Sequence, residues 1–144
     1  MKLETVKIYH LNGNPSHEYM VDEQGNLHGI SQRWYENGQL WVQSEFVNGK
    51  RHGTYQRWHF NGQLWEQIEY VNGKRHGIAY MWNEDSSIRN IRQYDTGKLI
   101  ICVDYTTDPI MIKMIDPNIE STNFIVNITS SLDCEGKEYE FTND

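Results

Sequence analysis

The stretch from Phe46 to Trp65 is followed at Glu66 by the beginning of its own copy, and the copy keeps step at an interval of 24 residues. Gly49, Gly73 and Gly97 hold that interval, as do Phe46, Tyr70 and Tyr94, and Trp34, Trp58 and Trp82. A fixed period of about 20–50 residues marks a repeat architecture, in which each short unit buries its apolar side only by stacking on its neighbours. Most folds open to a chain of 144 residues are thereby excluded.

Each period contains two turn signals, Asn37-Gly38 and Asn48-Gly49 in one copy and Asn61-Gly62 and Asn72-Gly73 in the next. Asn-Gly between short segments is the strongest local signal for a hairpin. The intervening segments are rich in Trp, Tyr, Phe, Val and Thr, which suit strands. The spacing predicts an all-β chain, an antiparallel meander of hairpin repeats. Three copies span 25–99, preceded by a degenerate capping repeat over 1–24, in which Asn12-Gly13 echoes Asn37-Gly38. The third copy decays, with Asp85-Ser86 in place of Asn-Gly and Arg89 where Trp41 and Trp65 stood.

Residues 100–144 have a different texture and form a β-rich, acidic C-terminal cap within the same domain. Strands are expected at 100–103, 110–115, 123–129 and 138–141, between breakers at Asp108-Pro109, Asp116-Pro117 and 133–136. This segment is expected to pair onto the last repeat or to pack under it.

Two-residue turns fix a register. At Asn61-Gly62 such a turn sets Trp58 opposite Trp65, Arg57 opposite Glu66 and Tyr55 opposite Ile68; at Asn72-Gly73 it sets Trp65 opposite Tyr80. One face then collects Trp34, Trp41, Trp58, Trp65, Tyr80 and Trp82, bordered by Gln32, Gln43, Gln56, Gln63 and Gln67. The other collects Tyr35, Leu40, Val42, Phe46, Tyr55, Leu64, Ile68, Tyr70, Met81, Ile88 and Tyr94, with Arg57 and Glu66 as a cross-strand salt bridge. The second face, richer in aliphatic side chains, is expected to be the core.

The net charge of −7 is unevenly placed: −2 over 1–24, +2 over 25–99 and −7 over 100–144. That balance disfavours general nucleic-acid binding, which relies on clustered Lys and Arg. No run approaches the ~20 apolar residues of a membrane span, and the N-terminal residues lack the apolar core of a secretory signal, so the expected location is cytoplasmic. Cys102 and Cys134 lack CxxC spacing and a neighbouring His pair, which leaves a disulfide framework or a metal site without support.

The sequences Gly-Lys-Arg-His-Gly and Trp-x-x-Asn-Gly-Gln-Leu-Trp resemble the MORN repeats (membrane occupation and recognition nexus), particularly their bacterial variant. The resemblance covers 25–99 well, 1–24 loosely and 100–144 not at all. It implies an elongated, twisted antiparallel sheet used as a recognition surface, with members attached to phospholipid binding, scaffolding and dimerisation. Bacterial proteins that look like this are frequently labelled antitoxins or immunity proteins.

Three sets of residues invite a functional reading. His28, His52 and His76 fall two strands apart, roughly 9–10 Å from one another at strand spacing, too far to share a metal ion whose ligands sit at about 2 Å; a structural role beside Gly is expected. The basic turns Lys50-Arg51 and Lys74-Arg75 could meet phosphates or anionic lipid, or serve as charged edges that discourage aggregation. The third set, Trp34, Trp41, Trp58, Trp65, Tyr80 and Trp82, is the expected partner-binding surface. A single sheet cannot bury both faces, so this row is covered by the tail, covered by a second copy, or left for a partner.

No catalytic motif is present: there is no G-x-S-x-G, no Gly-rich phosphate loop and no Cys with an evident His partner. Asn127-Ile128-Thr129 matches a glycosylation sequon in what reads as an ordinary strand. The sequence therefore points to a non-enzymatic, cofactor-free module that occludes a protein partner, of the antitoxin or immunity type or a phage or mobile-element inhibitor. The alternative is a self-associating scaffold, dimeric or membrane-bound through its basic turns.

Overall fold

The structure, a computed structural model, describes residues 2–115. The expected strands at 123–129 and 138–141 lie outside the described residues. Ten strands form one antiparallel sheet in strict chain order. They are β1 (Glu4–Tyr9), β2 (Pro15–Val21), β3 (Gly29–Trp34), β4 (Leu40–Val47), β5 (Lys50–Trp58), β6 (Leu64–Val71), β7 (Lys74–Trp82), β8 (Ile88–Asp95), β9 (Lys98–Asp104) and β10 (Met111–Met114). The all-β meander is as the repeat spacing predicts. The first hairpin, β1–β2, begins the sheet, and β9 and β10 extend it by pairing onto β8 and onto each other.

The turns at the two edges differ, and the difference corrects the expected register. At one edge Asn48-Gly49 and Asn72-Gly73 are two-residue turns with both residues at positive φ, 49° and 75° in the first and 50° and 80° in the second. This is the mirror-image turn that Asn-Gly favours. At the other edge the loop has three residues: the Gly62 N–H donates to the His59 carbonyl and the His59 N–H to the Gln63 carbonyl, at 2.9 and 2.8 Å. Tyr35 to Gln39 repeats this pattern, and Asn83 to Ser87 keeps it although Ser86 stands in the place of Gly. The extra loop residue sets Trp58 opposite Leu64 rather than Trp65, and a bulge at Trp65 then restores Arg57 opposite Glu66 and Tyr55 opposite Ile68.

A second shift occurs within β6 and β7, where Val71, Tyr70 and Glu69 pair with Lys74, Arg75 and His76, but Gln67 meets Tyr80. Trp65 and Tyr80 are therefore not partners. This slip spans two residues and so leaves every side chain on its own face.

Hydrogen bonds between equivalent turns lock the units together. Asn12, Asn37 and Asn61 each donate from Nδ2 to the carbonyl of a turn residue one unit on, Glu36, Phe60 and Glu84 respectively, at 2.8 to 3.3 Å. His10 Nε2, the Tyr35 hydroxyl and His59 Nε2 likewise engage the carbonyls of Trp34, Trp58 and Trp82. At the opposite edge the N–H of Gly73 donates to Arg51 and that of Gly97 to Arg75. The Asn of the repeat is thus both a turn former and a clamp.

Apolar burial occurs on both faces, which differs from the single core expected. Ile68, Tyr70, Ala79 and Tyr94 form one buried cluster with Tyr55 and Leu99 packed against it. Ile91, Ile100, Ile101 and Val103 form another, joined by Ile78, Tyr80 and Ile88. The register sets Tyr80 opposite Ile91 and Ile91 opposite Val103, while Ala79 faces Arg92, so the clusters lie on opposite sides of the sheet. Ile88, expected beside Ile68, joins the other side because a shift at Trp82 sets it opposite that residue. Burial of one Ile side chain contributes on the order of 1.5–3 kcal/mol, and Ile68, Ile91 and Ile101 are the most deeply buried.

Candidate binding face

The row of six aromatics divides between the two faces. Trp34 and Trp58 stand two residues beyond Gln32 and Gln56 on their strands, and these glutamines donate to Gln43 and Gln67 across the sheet at 2.8 and 2.9 Å. Tyr80 lies opposite Gln67 and its ring stacks on Trp82, with centroids 5.8 Å apart. These four share the glutamine face. Trp41 and Trp65, the bulged residues of β4 and β6, turn to the other side. The Arg57 guanidinium lies 3.9 Å from the centre of the Trp65 ring, and Trp41 lines a cleft together with Val42, Ser44, Phe46, Tyr55 and Arg57.

The opposite face has a property that aromatic counting overlooked. The chain has six arginines, and the sheet gathers them on this side. Arg33 is opposite Val42, Val42 opposite Arg57 and Arg57 opposite Glu66. Arg51 lies over the rings of Tyr55 and Tyr70 at 5.0 and 5.5 Å, and Arg75 over Tyr94 at 5.3 Å. Arg75 also donates to the hydroxyls of Tyr70 and Tyr94. Arg92 is opposite Ala79 and Cys102, and Arg89 and Arg92 both act on Asp104, whose carboxyl is held below its usual range first by the Thr106 hydroxyl and backbone and then by these cations.

Arginine tolerates this crowding because its planar, weakly hydrated cation stacks on aromatic rings. Burial raises the Tyr55 hydroxyl above its ordinary pKa despite the adjacent Arg57, so the phenol stays neutral and remains a donor. Burial likewise raises Tyr35, whose hydroxyl donates to the Trp58 carbonyl at 2.9 Å. The expected salt bridge between Arg57 and Glu66 is absent among the described ion pairs, which are Lys7 with Glu18 and His76 with Asp95. The two residues are in register, but the guanidinium lies over Trp65 instead.

The basic turns are split as well. Lys50 and Lys74 are exposed next to their turns, opposite Val47 and Val71. Arg51 and Arg75, also exposed, lean back over the tyrosines. No group of three or more His, Cys, Asp or Glu able to hold a metal ion occurs among the described residues.

The two central units carry the pattern of a known family. A family model described as MORN repeat variant matches residues 27–48 and 51–72. Residues 27–72 thus carry two MORN repeats. Among curated proteins none matches it. Each matched MORN unit contains one strand pair or its equivalent, with the three-residue Asn-Gly turn inside it at Asn37-Gly38 or Asn61-Gly62. The third unit, β7–β8, lies beyond the matched residues yet repeats their turn geometry. The arginine face could have been anticipated from the sequence: Arg33 and Arg57, like Arg51 and Arg75, keep the 24-residue MORN interval.

Proposed function

We propose that the protein is a non-enzymatic binding module that occludes a protein partner, of the antitoxin or immunity type or an inhibitor encoded by a phage or mobile element, and that its binding face is the arginine face. The observation that carries this reading is the gathering of Arg33, Arg51, Arg57 and Arg75 beside Trp41, Trp65 and the tyrosines on one side of a single-layered sheet. Trp, Tyr and Arg are the residues that dominate the energy of protein interfaces. Their placement here on strands held by the ladder limits the entropy lost when a partner docks.

The test is capture of a partner from the native cell by wild type, by a Trp41→Ala/Trp65→Ala variant and by a Trp34→Ala/Trp58→Ala variant, each checked for folding. Wild type and the Trp34/Trp58 variant should retain the same protein, and the Trp41/Trp65 variant should lose it. Equal capture by both variants would overturn the choice of face. Salt-sensitive sedimentation with anionic vesicles, abolished by substituting Lys50, Arg51, Lys74 and Arg75, would replace this reading with a membrane-surface role.

A further inference from the structure

Between β3 and β5 the arginine face hollows into a cleft of about 210 Å³. Arg33, Arg51 and Arg57 line it together with Trp41, Phe46 and Tyr55, and no carboxylate lines it among the described residues. None of these three arginines forms an ion pair among the described residues. From β3 to β9 the register places only Glu66 and Asp104 as acidic residues on this side. Among the described residues the cleft therefore concentrates positive charge beside apolar walls, with Glu66 next to it on the neighbouring strand.

Resting on the protein-binding reading above, we propose that this cleft anchors an acidic segment of the partner, taking a Glu or Asp side chain between Arg33 and Arg57 and an adjacent apolar side chain against Trp41 and Tyr55. Guanidinium groups bind carboxylates through paired N–H donors, and such charge-assisted bonds are about twice as strong as neutral ones. The volume is below the roughly 300–1,000 Å³ of pockets that enclose cofactors and small ligands; it suits one or two side chains. A free phosphate would gain nothing from the aromatic walls. A carboxylate carried next to an apolar side chain uses both features of the cleft.

Calorimetric titration of the full chain tests this with two capped probes, acetyl-Leu-Glu-Phe-Glu-Leu-amide and its counterpart with Gln at both Glu positions. The acidic probe should bind at least tenfold more tightly than the Gln probe, and its affinity should fall at least tenfold in Arg33→Gln and in Arg57→Gln. Lys98→Gln, in the hairpin between β8 and β9 and outside the cleft, should bind as wild type does. Arg33 stacks on no aromatic ring among the described residues, so Arg33→Gln remains informative if loss of the Trp65 stack unfolds Arg57→Gln. Equal binding of the two probes, no binding of either, or tighter binding of inorganic phosphate than of the acidic probe would each overturn the proposal. A captured partner that survives both arginine substitutions would overturn the acidic anchor while leaving the protein-binding reading intact; failure to capture any partner would remove the reading itself.

Discussion

The guanidinium carbon of Arg57 rests 3.9 Å from the centre of the Trp65 ring, although the residue directly across the ladder from Arg57 is Glu66. A bulge makes this contact by turning Trp65 onto the face that Arg57 occupies. Removing either partner should cost stability, with a coupling of about 0.5–2 kcal/mol in a double-mutant cycle built from Arg57→Ala and Trp65→Ala. Glu66→Gln should change stability by less than about 0.5 kcal/mol, because a half-exposed carboxylate without an ion pair contributes little. Chemical denaturation of the four proteins checks both statements.

Asn61 holds two bonds at once, from its Nδ2 to the Glu84 carbonyl at 2.9 Å and from the Gln63 N–H to its Oδ1 at 3.0 Å. Asn61→Ala should destabilise by about 1–2 kcal/mol. Asn61→Asp keeps the acceptor and loses the donor, so its melting temperature should fall between those of wild type and the alanine variant.

Thr96 has φ 48° at the position where Asn48 and Asn72 have 49° and 50°. A β-branched residue is poorly suited to this left-handed conformation, whereas Asn tolerates it. Thr96→Asn should therefore stabilise the protein by about 0.5–1 kcal/mol, read as a rise of a few degrees in calorimetric melting temperature. The exposed hydroxyl bond from Thr96 to Asp95 that it removes is worth less.

Ile68 and Ile91 are each almost fully buried, but in clusters on opposite sides of the sheet. Ile68→Ala and Ile91→Ala should each cost about 2–4 kcal/mol. Because the two sites share no cluster, the double variant should show the sum of the single losses within about 0.5 kcal/mol. Urea unfolding at equilibrium gives all three values.

Asp22 closes the turn before β3, accepting from the Asn26 side chain at 3.0 Å and from the N–H groups of Asn26 and Gln24 at 2.8 and 2.9 Å. The Asn26 side chain first, then these backbone donors, hold its carboxyl below the ordinary value of 3.8. A carboxyl whose pKa is lowered on folding stabilises the native state above its unfolded pKa, and this contribution is lost as pH falls through the folded one. Asp22→Asn should thus be less stable than wild type at pH 7, with the gap closing as pH drops below 3.8. Denaturation midpoints at pH 7 and pH 2.5 decide it.

The repeat period and its Asn-Gly pairs determined the all-β meander, the strand order and the approximate position of nearly every described strand. Local turn chemistry and the alternation of side chains suffice for that, and both are written in short windows of sequence. The pairing of Arg57 with Glu66 and of Tyr55 with Ile68 was equally legible, because the three-residue turn and the bulge at Trp65 cancel before those positions are reached.

Only the tertiary structure decided on which side the ring of Trp65 lies. The bulge reverses the facing of the residues between it and the turn, Leu64 as well as Trp65, while Glu66 and the residues beyond it stay in phase, and nothing in the 24-residue period distinguishes a turn of two residues from a turn of three followed by a bulge. That one local choice, repeated at Trp41, separates the tryptophans, places two of them among the arginines, and moves the candidate binding surface from the glutamine face to the arginine face.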